Sequence, residues 1–213
     1  IDSNEPYKHS GKLNTLLFRP SIIYGISDKL NLMLSTHIGF RSMIWDQKGN
    51  SIHHRSESTF QGFDNANPSW LGDSKIVLRY LFKNDGMGDG LRFIYGGGIS
   101  VPSNSVLTSD PFFLQGEEKS DHRHFSLSSG NYKYIIETQL FFKQQDNPVF
   151  YGGFLTYEHP IQENKYNYLA PPLLNLSLSA TFKRFDERDS SMGYGLGILQ
   201  SGHGYWNGVK EPN

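Results

Sequence analysis

The residues able to do chemistry in this chain fall into three groups. His124-Phe125-Ser126 sets an imidazole and a hydroxyl two positions apart. On a strand such positions share a face, so the two side chains come within hydrogen-bond reach. A histidine so placed takes the serine proton and prepares the oxygen for acyl transfer. In that reading Ser126 is the nucleophile and His124 its base. Chance is the competing account, since the chain has eight histidines and many serines.

The second group has the donor types of metal sites. His122, His124 and Asp121 suit zinc together with His53 and His54 of another polar stretch. Asp85-Gly86-Met87-Gly88-Asp89-Gly90 supplies oxygens of the kind calcium takes. Solvated loop histidines and Gly/Asp turn chemistry explain both clusters more simply, so no metal and no cofactor is expected. Gly96-Gly97-Gly98 sits inside a strand pattern and is not a phosphate loop. The absence of cysteine removes disulfides, thiolate metal sites and cysteine nucleophiles together.

The third group is a set of charges at alternate positions. Strand by strand, Asp73, Lys75, Arg79, Arg92, Lys133, Glu137, Glu158 and Lys183 fall on the polar alternate set, as do Asn31, His37, Arg41 and Gln139. Their interleaved neighbours are apolar: Ile76, Leu78 and Tyr80 in one stretch, Tyr134, Ile136 and Leu140 in another. Lys or Arg facing hydrocarbon at mid-membrane costs about 2–4 kcal/mol. If the apolar parity meets lipid, the charges must project into a lumen. They then either select solutes or pair across neighbouring strands and fill a narrow interior. His37, Arg41, Lys75, Arg79, Arg92, Lys133, Glu137, Glu158 and Lys183 are therefore the expected pore-lining residues.

The elements that must hold these groups are strands, because period two puts successive side chains on opposite faces. Strands are predicted over 13–25 (interrupted at Pro20), 30–41, 72–82, 91–102, 124–142, 149–159, 174–183 and 192–199. Several reach about eleven residues, the roughly 9–11 that a tilted strand needs to cross a bilayer. A short hairpin is expected around 52–63. The connections alternate: short at 27–29, long at about 42–69, short at 83–90, long at about 103–123, short at 144–147, intermediate at 160–172. Short turns on one side and long loops on the other are the build of outer-membrane barrels. Phe18, Tyr24, Phe40, Tyr80, Phe82, Tyr95, Tyr157 and Phe182 are candidates for the interfacial aromatic girdles.

Bulk properties agree with this class without selecting it. At 213 residues the chain reads as one domain, 1–213. A net charge of −1 gives no field that would attract nucleic acid. No run of 18 apolar residues exists, which excludes a helical anchor and leaves a barrel open. Mean hydropathy is −0.50, yet there are 22 Gly, 12 Tyr and 15 Phe, a mixture that a barrel with a polar lumen produces. The first five residues show no basic region followed by an apolar core, so no signal peptide is read there. With 27–29 periplasmic, both ends fall outside the cell, and the last residues lack a terminal aromatic. The expectation is therefore a strand missing at each end, and roughly ten to twelve strands in full.

Three segments also carry a family resemblance: Tyr24-Gly25-Ile26-Ser27-Asp28-Lys29-Leu30-Asn31-Leu32, Leu71-Gly72-Asp73-Ser74 leading into Leu78-Arg79-Tyr80, and Ile99-Ser100-Val101-Pro102. Ser128-Ser129-Gly130-Asn131-Tyr132 sits where a glycine-containing strand start is found in the same family. Together they resemble the bacterial outer-membrane transporters named for the MetA pathway of phenol degradation. The resemblance implies an outer-membrane β-barrel and a passive route for small hydrophobic or aromatic molecules, and it supplies no catalytic residue.

The expectation is thus an all-β, antiparallel, up-and-down transmembrane β-barrel in the outer membrane of a Gram-negative cell. Eight strands are visible, outer-membrane lipid is the partner, and a passive channel or a structural place in the envelope is the role. Two alternatives stay open: a lipid hydrolase built on His124 and Ser126, and a soluble secreted β-sandwich binding carbohydrate or protein.

Overall fold

The computed structural model describes residues 11–45, 56–86, 88–111, 122–144, 149–183 and 191–211. No helix occurs among them. In chain order the strands are β1 (Gly11–Phe18), β2 (Ser21–Gly25), β3 (Leu30–Trp45), β4 (Glu57–Ser58), β5 (Leu71–Asn84), β6 (Gly90–Val101), β7 (Lys133–Lys143), β8 (Val149–Pro160), β9 (Tyr168–Leu169), β10 (Leu173–Lys183), β11 (Ser191–Ser201), β12 (Tyr205–Trp206) and β13 (Val209–Lys210). Eight of them form one antiparallel path, β1-β3-β5-β6-β7-β8-β10-β11. The path is a meander, curled into a half-barrel. Among the described residues β1 and β11 each have one neighbour in it.

β1 and β2 act as one strand in two pieces, both paired to β3. Proline has no N–H to give a ladder, and the break falls at Arg19-Pro20. The Pro20 carbonyl still accepts from the Thr36 N–H at 3.2 Å. At the short-turn end, Ile26 and Ser27 N–H both donate to the Leu30 carbonyl. The β5–β6 turn uses Gly86 at φ 90° and Gly90 at φ 146°, and there the Asp85 carboxylate accepts the Leu91 N–H at 2.9 Å.

From β5 to β8 the outer parity is apolar and exposed, while the inner parity carries the buried charged and polar side chains together with Val77 and Ile135. On β5, Leu78 is 44 % exposed while Val77 beside it is 1 % exposed. On β7, Ile136 is 55 % exposed and Glu137 is 8 %. Ile76, Leu155, Leu176, Leu178, Leu196 and Ile198 all sit on the exposed parity. This is the reverse of a soluble core, where apolar side chains are the buried ones. Aromatics flank the aliphatic middle at both ends. Phe82, Phe93, Tyr80 and Tyr95 cluster toward the short turns; Tyr134, Tyr157 and His159 cluster toward the long connections.

The long connections fold together over their end of the sheet. Their inner residues, Glu57, Thr59, Asn65, Ala66, Ser105, Val106, Arg123, Ser128, Asn131, Ala170 and Trp206, are buried. A second small sheet, β13-β12-β9, belongs to this cap. Its Tyr168 and Trp206 rings pack in a tilted pair with centroids 4.7 Å apart.

Three expectations about boundaries need correction. The fifth predicted strand does not start at 124: β7 begins at Lys133, so the connection spans 102–132 rather than 103–123. Gly130 turns at φ 75°. The Ser128 and Ser129 hydroxyls accept the N–H groups of Gly130 and Asn131, which uses donors a ladder would need. β3 runs on to Trp45, four residues past its predicted end. The hairpin around 52–63 reduces to β4, two residues paired with Ser42 and Met43 of β3; residues 46–55 lie outside the described set.

Candidate functional site

Strand order and register decide which lining charges meet. Three rows cross β5, β6 and β7: Lys75, Ser100, Lys133; then Val77, Gly98, Ile135; then Arg79, Gly96, Glu137. The β6 member of each row is small. A Cβ at Gly98 would lie 2.1 Å from the Ile76 carbonyl oxygen, and one at Gly96 would lie 3.2 Å from Arg79 Cγ. The bare face of β6 therefore lets long side chains from β5 pass over it.

Arg79 does so. Its Nε donates to Glu137 Oε1 at 2.6 Å and its Nη2 to Oε2 at 2.9 Å, a bidentate pair two strands apart. Gln139 donates to the same carboxylate. Lys75 reaches one strand further and forms a close ion pair with Glu158 on β8. Lys133 stands 3.8 Å from the Asp73 carboxylate. All of these side chains lie in the mostly buried concave lining. Partly buried pairs are screened less than surface pairs, so this part of the interior is held by matched charge.

The other expected lining residues divide. His37 and Arg41 lie on the same face of β3. His37 Nε2 accepts from Arg19 Nε at 2.8 Å, and Arg41 donates to the Ser126 carbonyl at 3.0 Å. Arg92 departs from expectation. It is exposed at the short-turn end, where its guanidinium clasps Asn84 Oδ1 and the Gly86 carbonyl. The turn binds it because β6 has barely left Gly90 at that point. Lys183 closes β10 opposite Ser191; its side chain is outside the described set.

The cap has its own polar centre. Arg123 is fully buried and donates to the carbonyls of Ser58, Gln61 and Asn67. Asn65 clamps its backbone from both sides, accepting its N–H and donating to its carbonyl, each at 2.8 Å. Burial pushes the Arg123 pKa down to about 10 against the pull of Glu57, so it stays charged at neutral pH. Asn131 ties its own connection to the one after β8, donating to the carbonyls of Gln162 and Tyr168 and accepting the Ala170 N–H.

His124 and Ser126 sit in this cap and not on a strand face. His124 turns Nδ1 to the buried Glu57 carboxylate at 2.7 Å, and its own N–H binds the other Glu57 oxygen. The Ser126 hydroxyl donates to the Ser128 carbonyl at 2.7 Å. The serine hydroxyl is thus spent on a carbonyl and makes no hydrogen bond to His124, so a base poised on a nucleophile is not the arrangement present. His122 and His124 rings lie 4.6 Å apart; His53, His54 and Asp121 lie outside the described residues. No group of three metal-ligating side chains converges among the described residues. In the Asp85–Gly90 turn, Asp85 is committed to Leu91 and Lys83.

Sequence reasoning missed Arg19, Glu57, Arg123 and Asn131. Arg19 had a signal, since it shares the parity of Leu13 and Leu17, but the adjacent Pro20 read as a break. The three cap residues lie in aperiodic stretches. No model of a known protein family matches the chain, and no curated protein matches it. The likeness to the phenol-degradation transporters therefore rests on the quoted segments.

Proposed function

We propose that this chain is an outer-membrane β-barrel of Gram-negative type that gives small hydrophobic or aromatic molecules a passive route across the membrane. The supporting observation is the inverted polarity of the sheet. Leu, Ile and aromatic side chains cover its convex face while Asp73, Lys75, Arg79, Lys133 and Glu137 line the concave one. A convex face of this kind is costly in water and favourable in lipid. In this reading the short turns lie in the periplasm, the cap faces outward, and the curled wall belongs to a closed transmembrane cylinder whose partner is outer-membrane lipid.

Two measurements test it in sequence. The protein should resist release from membranes by salt and require detergent; release by salt alone would sink the membrane assignment. Reconstituted in liposomes, it should then speed the entry of a small aromatic solute such as phenol.

The ion pairs favour a second reading. Lys75–Glu158 and Arg79–Glu137 fill the lining between β5 and β8, as a structural envelope subunit with a narrow interior would require. Membrane insertion without flux of ions or phenol selects that reading.

A further inference from the structure

We infer that the concave face along β1 and β3 is a binding site for small organic carboxylates with an apolar body, with Arg19 and Arg41 at its two ends as the alternative partners of the carboxylate. The inference deepens the transport reading by naming the charge of the solute, and rests on it only for the solute's passage.

The first argument is charge accounting. Asp73, Glu137 and Glu158 of the lining are each met by one cation: Lys133, Arg79 and Lys75. Arg19 and Arg41 share the concave face, and among the described residues neither has a carboxylate within ion-pair distance. The Arg19 guanidinium is held by a neutral imidazole acceptor. Arg41 gives one amine to a carbonyl, and its Nε is buried without a partner. Arginine presents a planar fork of donors that matches a carboxylate bidentately. A buried donor left unmade is costly, and a carboxylate would relieve it once the guanidinium turns toward the lumen, since Nε is fully covered in the present rotamer.

The second argument is shape. The register sets Thr15 opposite Arg41 and Leu17 opposite Gly39, and the next pair along is Arg19 with His37. Four positions of strand separate His37 from Arg41, roughly 13 Å at the usual rise. Between them the Leu17 side chain lies over Gly39, where a Cβ would meet Leu17 Cδ2 at 2.5 Å. Leu13, Leu17 and Ile23 present exposed apolar surface on the same parity. Two guanidinium groups flanking a leucine floor suit an aromatic or aliphatic carboxylate better than phosphate, which has no apolar part to cover leucine. His37 orients the first arginine. Because its Nε2 accepts from Arg19, its Nδ1 carries the proton and faces the Asp73 carbonyl at 3.4 Å.

The test uses the full chain reconstituted in phosphatidylcholine vesicles and in a planar bilayer, with benzoate and its neutral analogue benzyl alcohol as probes. Expected results are saturable retention of benzoate over benzyl alcohol and a reversal potential in a KCl gradient on the anion side. The Arg19→Gln/Arg41→Gln double variant should lose benzoate affinity roughly tenfold or more and move the reversal potential toward zero. Arg41→Lys keeps the charge and should lose less, while Lys29→Gln, in the exposed short turn, should change neither reading. Vesicle insertion and strand content of each variant are checked by circular dichroism; if the double variant fails to fold, the single Arg19→Gln variant serves, since Arg19 is exposed. Equal retention of the two probes, or undiminished benzoate binding in a folded double variant, overturns the inference. Benzoate binding without any current would sustain the site and remove the channel. Current with no anion preference and no benzoate binding would remove the site and keep the channel.

Discussion

The concave wall and the cap both bury polar groups, and they satisfy them by different means. In the wall, charge meets charge across strands: Arg79 passes over Gly96 to Glu137, and Lys75 reaches Glu158. In the cap, side chains meet backbone. Arg123 serves three carbonyls, Asn65 clamps Arg123, and Asn131 ties two connections. The strands have already paired their own amides, so only side chains remain for their interior. The cap has little ladder, so its buried amides and carbonyls need side-chain partners. The wall is thus specified by spacing and the cap by composition at single positions.

The largest effect should come from the floor of the wall. Gly98→Val puts a side chain 2.1 Å from the Ile76 carbonyl oxygen, and we expect at least about 3 kcal/mol of lost stability by denaturant unfolding. Gly195→Ala, whose Cβ would meet nothing closer than 3.6 Å, should be nearly neutral. A similar cost at both positions would break the account of β6. Next, Arg79→Ala strands the Glu137 carboxylate and should cost about 3 kcal/mol, largely recovered by pairing Arg79→Met with Glu137→Leu. A double variant as weak as the single would deny the cross-strand pair its role.

Arg123→Ala should cost about 2 kcal/mol, and only in the cap. Hydrogen exchange should quicken at 56–70 and 122–131 while the amides of β6 and β7 keep their protection. Equal quickening everywhere would mean that wall and cap unfold as one body.

The smallest effect is a pH dependence at Glu211. Burial raises its pKa, helped by the charge of Asp110, against hydrogen bonds from Trp206 and Tyr168 that lower it. A carboxyl whose folded value is raised gives stability that is complete below the ordinary carboxylate range and lost as pH rises through the raised value. The Tyr205 and Trp206 amides should therefore exchange more slowly in mild acid than at neutrality, after correction for intrinsic rates. Glu211→Gln should flatten the difference.

This contrast also explains what could be read in advance. Alternation at Leu30–Phe40, Asp73–Phe82 and Tyr134–Phe142 gave those strands and their two faces, because a pleated backbone writes period two into sequence. The pairing of Asp73 with Lys133 was not legible, since register depends on partners distant in the chain. Arg92 was misplaced because parity says which face a residue takes but not how near a turn it lies. The cap was invisible because Glu57, Arg123 and Asn131 act through backbone partners that no periodicity announces. His124 and Ser126 looked like a pair only while a strand was assumed beneath them.

The last long strand invites a practical use. On β11 the concave parity is Gly193, Gly195 and Gly197, facing Thr181, Ser179 and Ser177 of β10. A methyl added at any of them would find ordinary contact distances rather than a clash. That strand therefore works as an adjustable edge, where alanine can be fitted at one position at a time to trim the room beside it while the ion pairs opposite stay untouched.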